Sequence, residues 1–206
     1  MNDEELEKIY SEMRTGDIIL LSGKGNLFSR LVEFFTWSDY SHIGIVLKDP
    51  KEIDSSLNGL YFWESGTETV PDSIENKKLF GVQMVPLIDK IKKYNGKVIY
   101  RKLNWDRPNF YKNMICNGIY KKVKNKPYDI NPRDFLEAEI DKDLGNPRNN
   151  TAFFCSAFVA YIYTKFGLLP KDTKWTLYSP KDFGSWYMNK LESGAYLEKE
   201  VQLDFS

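Results

Sequence analysis

The chain contains one histidine, two cysteines and no net charge, its 29 Lys+Arg balancing 29 Asp+Glu. Each scarcity excludes something. One histidine and two cysteines far apart in sequence, Cys116 and Cys155, do not make a metal-ligand cluster, and no cofactor is expected. Two cysteines are also too few for a disulfide framework. A balanced charge leaves no electrostatic footprint for nucleic acid. No apolar run approaches the length of a membrane span, so no transmembrane segment is expected. The first residues carry Asp3, Glu4 and Glu5, which does not fit a signal peptide, and a cytoplasmic location is expected.

What is present is a chain able to bury a core. Its 206 residues are 42% hydrophobic and 15% aromatic, enough for one domain spanning 1–206. Residues 3–13 place Leu6, Ile9, Tyr10 and Met13 on one helical face, and Thr15-Gly16-Asp17 is a turn. Residues 18–21 (IILL), 42–47 (HIGIVL), 60–65 (LYFWES), 81–85 (GVQMV) and 97–103 (KVIYRKL) have strand length and composition. Helical spacing recurs over 27–37, from Pro86 to about residue 93, and over 109–123 as one helix. Residues 129–150 are rich in Asp, Asn, Pro and Gly and read as a long loop with one helical turn near 135–140. A short helix is expected at 179–183 and a last strand within 195–203. The fold class is therefore α+β, several strands first, with helices packed on one side of the sheet.

Chemistry concentrates in Asn150–Gly167, NTAFFCSAFVAYIYTKFG. Phe158, Tyr161, Ile162 and Phe166 mark one core-facing stripe of a helix that Gly167 and Pro170 end. Cys155 lies in its first turn, where unpaired backbone N–H groups and the helix dipole favour a thiolate nucleophile. A nucleophilic cysteine needs a proton acceptor, and His42 is the one histidine. It begins a strand after the polar pair Tyr40-Ser41, at an edge where its ring can face a cleft. Cys116, in mid-helix, reads as structural. Alternation places Glu64 on the face of Phe62: a solvated strand end, a residue paired elsewhere, or the group that orients the imidazole.

An ordered set of short motifs narrows these alternatives. Thr15-Gly16-Asp17-Ile18-Ile19, Tyr40-Ser41-His42-Ile43-Gly44-Ile45-Val46, Glu64-Ser65, Val85-Pro86-Leu87, Lys126-Pro127-Tyr128-Asp129 and Phe154-Cys155-Ser156-x-x-Val159 follow one another in that order. The set resembles the circularly permuted branch of the NlpC-type papain-like cysteine hydrolases, the YiiX/YaeF-like proteins and their poxvirus relatives. In that branch the histidine strand precedes the cysteine helix, as in the lecithin–retinol acyltransferase-like proteins. The resemblance covers roughly residues 14–185. It implies a permuted papain-like fold, a mainly antiparallel sheet with the nucleophile helix packed against it. It also implies Cys155 as nucleophile, His42 as base, Glu64 as third polar residue, and Tyr128 and Tyr40 as substrate-binding residues. The chain departs from many relatives at Ala157, where they carry an acid, and in its long polar segment between Tyr128 and Cys155. The implied activity is a cysteine amidase or peptidase acting on a small amide- or ester-containing substrate through a thioester. The alternatives are lipid acyl transfer or deacylation, and a non-catalytic binding protein on the same fold. The oligomeric state is not readable from the sequence.

Overall fold

The structure, a computed structural model, describes residues 3–23, 39–66, 70–107, 109–128, 154–188 and 190–204. The helix expected over 27–37 and the loop expected over 129–150 lie outside the described residues. Along the chain come α1 (Asp3–Glu12), β1 (Ile18–Gly23), β2 (His42–Lys48), β3 (Leu60–Gly66), β4 (Gly81–Pro86) and α2 (Leu87–Lys92). Then follow β5 (Gly96–Arg101), β6 (Leu103–Asn104), α3 (Phe110–Cys116), α4 (Ile119–Val123), α5 (Cys155–Lys165), β7 (Tyr196–Leu197) and β8 (Val201–Leu203). Short 3-10 turns cover Trp175–Leu177, Pro180–Phe183 and Glu192–Gly194.

Six strands form an antiparallel sheet in the order β4-β3-β2-β1-β5-β8, and β6 pairs with β7 in a separate ladder. The first four strands are a meander, so β2 and β3 are neighbours because only a short connection separates them. The tail thus supplies two short strands to two ladders, where the sequence predicts one.

Helices cover both faces of the sheet, not one. Ile18, Leu20, Ile43, Ile45, Leu47, Trp63, Val82 and Met84 pack in a core with residues of α3, α4 and α5. Ile19, Leu21, Val46, Phe62, Val85 and Val98 pack in another with Leu6, Tyr10 and Met13 and with Leu87 and Ile91 of α2. Successive strand residues point to opposite faces, so a strand apolar at every position needs cover on both. The unbroken runs IILL and IGIVL are the reason for two layers.

The helical layers differ from the sequence reading in two details. α5 is buried from Cys155 through Thr164, on all sides rather than along one stripe. It ends as predicted: Gly167 has φ of 69°, its N–H reaches the Thr164 carbonyl at 3.1 Å, and the Leu168 N–H reaches that of Tyr163 at 2.8 Å. The single helix predicted over 109–123 is two, broken at Gly118 with φ of 64°. That break re-aims Ile119 and Val123 into the same core as Phe110 and Met114.

The turn before β1 is an anchor. Asp17, fully buried, accepts from the Arg14 N–H (2.8 Å), the Tyr100 hydroxyl (2.7 Å), the Leu103 N–H (2.9 Å) and the Arg107 guanidinium (2.8 Å). It ties β1, β5, β6 and Arg107 at the end of β1 away from His42.

Candidate active site

His42 opens β2, an interior strand of the sheet, at the strand's first position. Its neighbours alternate: Ile43, Ile45 and Leu47 face the α5 layer, while Val46 faces the α1/α2 layer. His42 has the parity of Val46, and its ring meets the edge of Phe62 at 6.1 Å between centroids. On β3, Trp63 faces α5 and packs on Phe158, so Phe62 and Glu64 face the other way. The register pairs Ile45 with Trp63, which places Glu64 diagonally across from His42 on the same face. There His42 Nε2 hydrogen-bonds Glu64 Oε2.

Two glycines make this fit possible. A Cβ at position 44 would lie 2.5 Å from the Phe62 ring and 2.9 Å from the Trp63 carbonyl oxygen. One at position 66 would lie 2.9 Å from Glu64 Oε2 and 3.2 Å from His42 Cε1. Side chains at either place would displace the groups that hold the imidazole.

Cys155 arrives from the opposite layer. Phe154 is extended, with φ of −70° and ψ of 158°, and α5 begins at Cys155 itself. The thiol is 2% exposed and lies close enough to act electrostatically on the His42 ring. An imidazole in mid-strand would be screened from α5 by the sheet. At the strand's end it touches both layers, with its side chain 17% exposed.

Charge follows from this placement. Burial by itself pushes the His42 imidazole down. The charges of Cys155 and Glu64, and the hydrogen bond to Glu64, outweigh it and raise the pKa from 6.5 to about 9. Burial likewise pushes Glu64 up, but Lys90 and then His42 overcome it and hold the carboxyl at about 2, below its ordinary 4.5. At neutral pH the site is an imidazolium facing a carboxylate on one side and a sulfur on the other.

The tyrosines differ in position. Tyr128 is buried; its ring meets Phe80 at 5.6 Å and Phe154 at 6.3 Å, so it packs on the residue that leads into Cys155. Tyr40 is half-buried, with its hydroxyl hydrogen-bonded to Glu200 and its ring edge over Gly184. That ties it to the C-terminal segment. Ala157 is fully buried in α5, and an acid there would stand in the core.

Sequence reasoning missed Lys90 and Gln83. Lys90 Nζ lies 2.6 Å and Gln83 Nε2 2.9 Å from Glu64 Oε1, so both oxygens of the carboxylate are engaged. A signal for Lys90 exists: Leu87, Lys90 and Ile91 share a helical face, and all three are buried. For Gln83 there is none, because its place opposite Glu64 depends on the β3–β4 register. Among the described residues, no group of three or more His, Cys, Asp or Glu stands together as a metal site.

No protein-family model matches the chain, and no curated protein does. Among solved structures, the crystal structure of metalloprotein yiiX from Escherichia coli O157:H7 is similar, with a TM-score of 0.47 at 21% sequence identity. The match covers 73% of this chain and 64% of that one, so the chain spans less than two thirds of that protein's length.

Proposed function

We propose that this chain is a cysteine-dependent hydrolase, an amidase or peptidase of the permuted papain-like kind. The observation that carries the reading is the single histidine, held between the thiol that opens a buried helix and a fully buried carboxylate. The chain order His42, Glu64, Cys155 is the order that the sequence motifs imply.

In the proposed reaction, the Cys155 proton already resides on His42, and the pair that meets the substrate is a thiolate beside an imidazolium. The sulfur attacks the carbonyl carbon of a small amide- or ester-linked substrate. Backbone N–H groups in the first turn of α5, lacking helical partners, hold the oxyanion. The C–N or C–O bond breaks as His42 passes its proton to the leaving group, which departs and leaves a thioester. Water, deprotonated by His42, then attacks the thioester, and the Cys155 thiolate and a carboxylic acid are released. Glu64 fixes the imidazole tautomer and offsets its charge throughout. Tyr128, packed on Phe154, lines the approach in this reading. Both cysteines are free, which suits a reducing compartment such as the cytoplasm.

The two thiols provide an internal control. Cys116 is exposed and Cys155 buried, so accessibility alone favours alkylation of Cys116. Near pH ~6, where an ordinary thiol is almost wholly protonated, iodoacetamide is expected to label Cys155 first. Cys155→Ala is expected to abolish hydrolysis of a peptide and amino-acid amide panel, and Cys116→Ser to retain it. Equal loss in both variants, or preferential labelling of Cys116, overturns the assignment.

A further inference from the structure

Lys90 is 7% exposed, and its ammonium belongs to α2, in the layer opposite the nucleophile helix. Burying an ammonium and a carboxylate is costly, and apolar residues of like volume often serve stability as well. A lysine kept there does something that an apolar side chain cannot. Its charge lies 2.6 Å from Glu64 Oε1, Gln83 donates to that same oxygen at 2.9 Å, and Oε2 is left for His42.

We propose that Lys90 is a positioning residue of the active site: through Oε1 it keeps Glu64 ionised and turned so that Oε2 serves the His42 ring. Gln83 secures the same rotamer without charge. The inference rests on reading Cys155 and His42 as the reacting pair. Among the described residues, the charged or titratable groups acting on Glu64 are Lys90 from α2 and His42 from β2. Those acting on His42 are Cys155 from α5 and Glu64 from β3. Without Lys90, a carboxyl buried beside Phe62 takes up a proton in mild acid and no longer stabilises the imidazolium.

The test uses Lys90→Met, Lys90→Arg, Glu64→Gln and the double variant Lys90→Met/Glu64→Gln. Its readouts are the rate of Cys155 alkylation by iodoacetamide against pH and the NMR titration of His42, unambiguous because it is the one histidine. Lys90→Met is expected to slow alkylation roughly tenfold or more in mild acid, the gap closing as pH rises, while Lys90→Arg stays near wild type. In the Glu64→Gln background, Lys90→Met is expected to change nothing further. An equal loss in both backgrounds, or a gap independent of pH, shows that Lys90 does not act through Glu64. If Lys90→Met does not fold, wild type decides: its His42 resonances should show no inflection from Glu64 between pH ~4 and ~6, and an inflection there overturns the proposal. Neither readout needs turnover. A failed hydrolase assignment would leave the Lys90 result standing, and the converse also holds.

Discussion

At the scale of single residues, the site is a proton held on an imidazole between a carboxylate and a sulfur. Burial disfavours the charged imidazole, yet Cys155 and Glu64 carry His42 to about 9. The proton for the leaving group is therefore present through neutral pH and lost above that value. The proposed hydrolysis should fall off on the alkaline side near pH 9. Glu64→Gln keeps a carbonyl oxygen for the ring and removes the charge. A charge-assisted hydrogen bond exceeds a neutral one by about 1 kcal/mol or more, so turnover is expected to drop roughly tenfold. The alkaline limb should move to lower pH. A pH profile of kcat/KM for both proteins checks both statements, and an unchanged profile would remove Glu64 from the mechanism.

At the scale of elements, the seam between β2 and β3 sets the distance from His42 to Glu64. Gly44 lies in that seam, and the Phe62 ring occupies the space where a Cβ would go. Phe62 is fully buried and the Trp63 carbonyl belongs to the ladder, so neither can yield cheaply. Gly44→Ala is expected to cost about 1–3 kcal/mol of stability by overpacking. It should also lower activity by more than the folded fraction accounts for, because spreading the strands moves the imidazole. Urea unfolding together with activity per folded molecule checks this. Gly16-Asp17 works differently. Asp17 binds four donors, and the Arg107 side chain that it pairs with is only 6% exposed. Asp17→Ala should cost about 3–5 kcal/mol, the cost of breaking one side of a buried pair, while Cys155 labelling in the folded fraction survives. The Gly-Asp motif is thus a structural anchor.

For the whole molecule, the same two groups make stability depend on pH with opposite signs. His42 rises from 6.5 to about 9, so its contribution is complete below pH 6.5 and lost as pH climbs toward 9. Glu64 falls from 4.5 to about 2, so its contribution is complete above pH 4.5 and lost as pH falls toward 2. Between pH 4.5 and 6.5 both are fully present. The difference in melting temperature between wild type and Glu64→Gln should be greatest in that window and shrink on either side. Lys90 enlarges it, since the variant leaves a buried ammonium without its carboxylate. A difference independent of pH would mean that the buried cluster does not titrate as a unit.

The sequence by itself determined the four strands of the meander, the helix that opens at Cys155 and where that helix stops, because apolar runs, Gly167 and Pro170 act locally. It also determined that any Cys–His chemistry must use His42, by arithmetic. Its unbroken apolar strands already required cover on two faces, though the requirement is easily passed over. Gly118 in the left-handed region carried the break between α3 and α4, a choice that glycine permits and packing made. Only the tertiary structure decided what Glu64 does. Alternation placed it beside Phe62, but whether a strand-end carboxylate is solvated or paired depends on the layer packed over it. That layer is α2, whose lysine lies 26 positions away in the chain and 2.6 Å away in space. Local pattern records which face a residue takes. It does not record which element will lie against that face, and in this protein the charge of the site is set there.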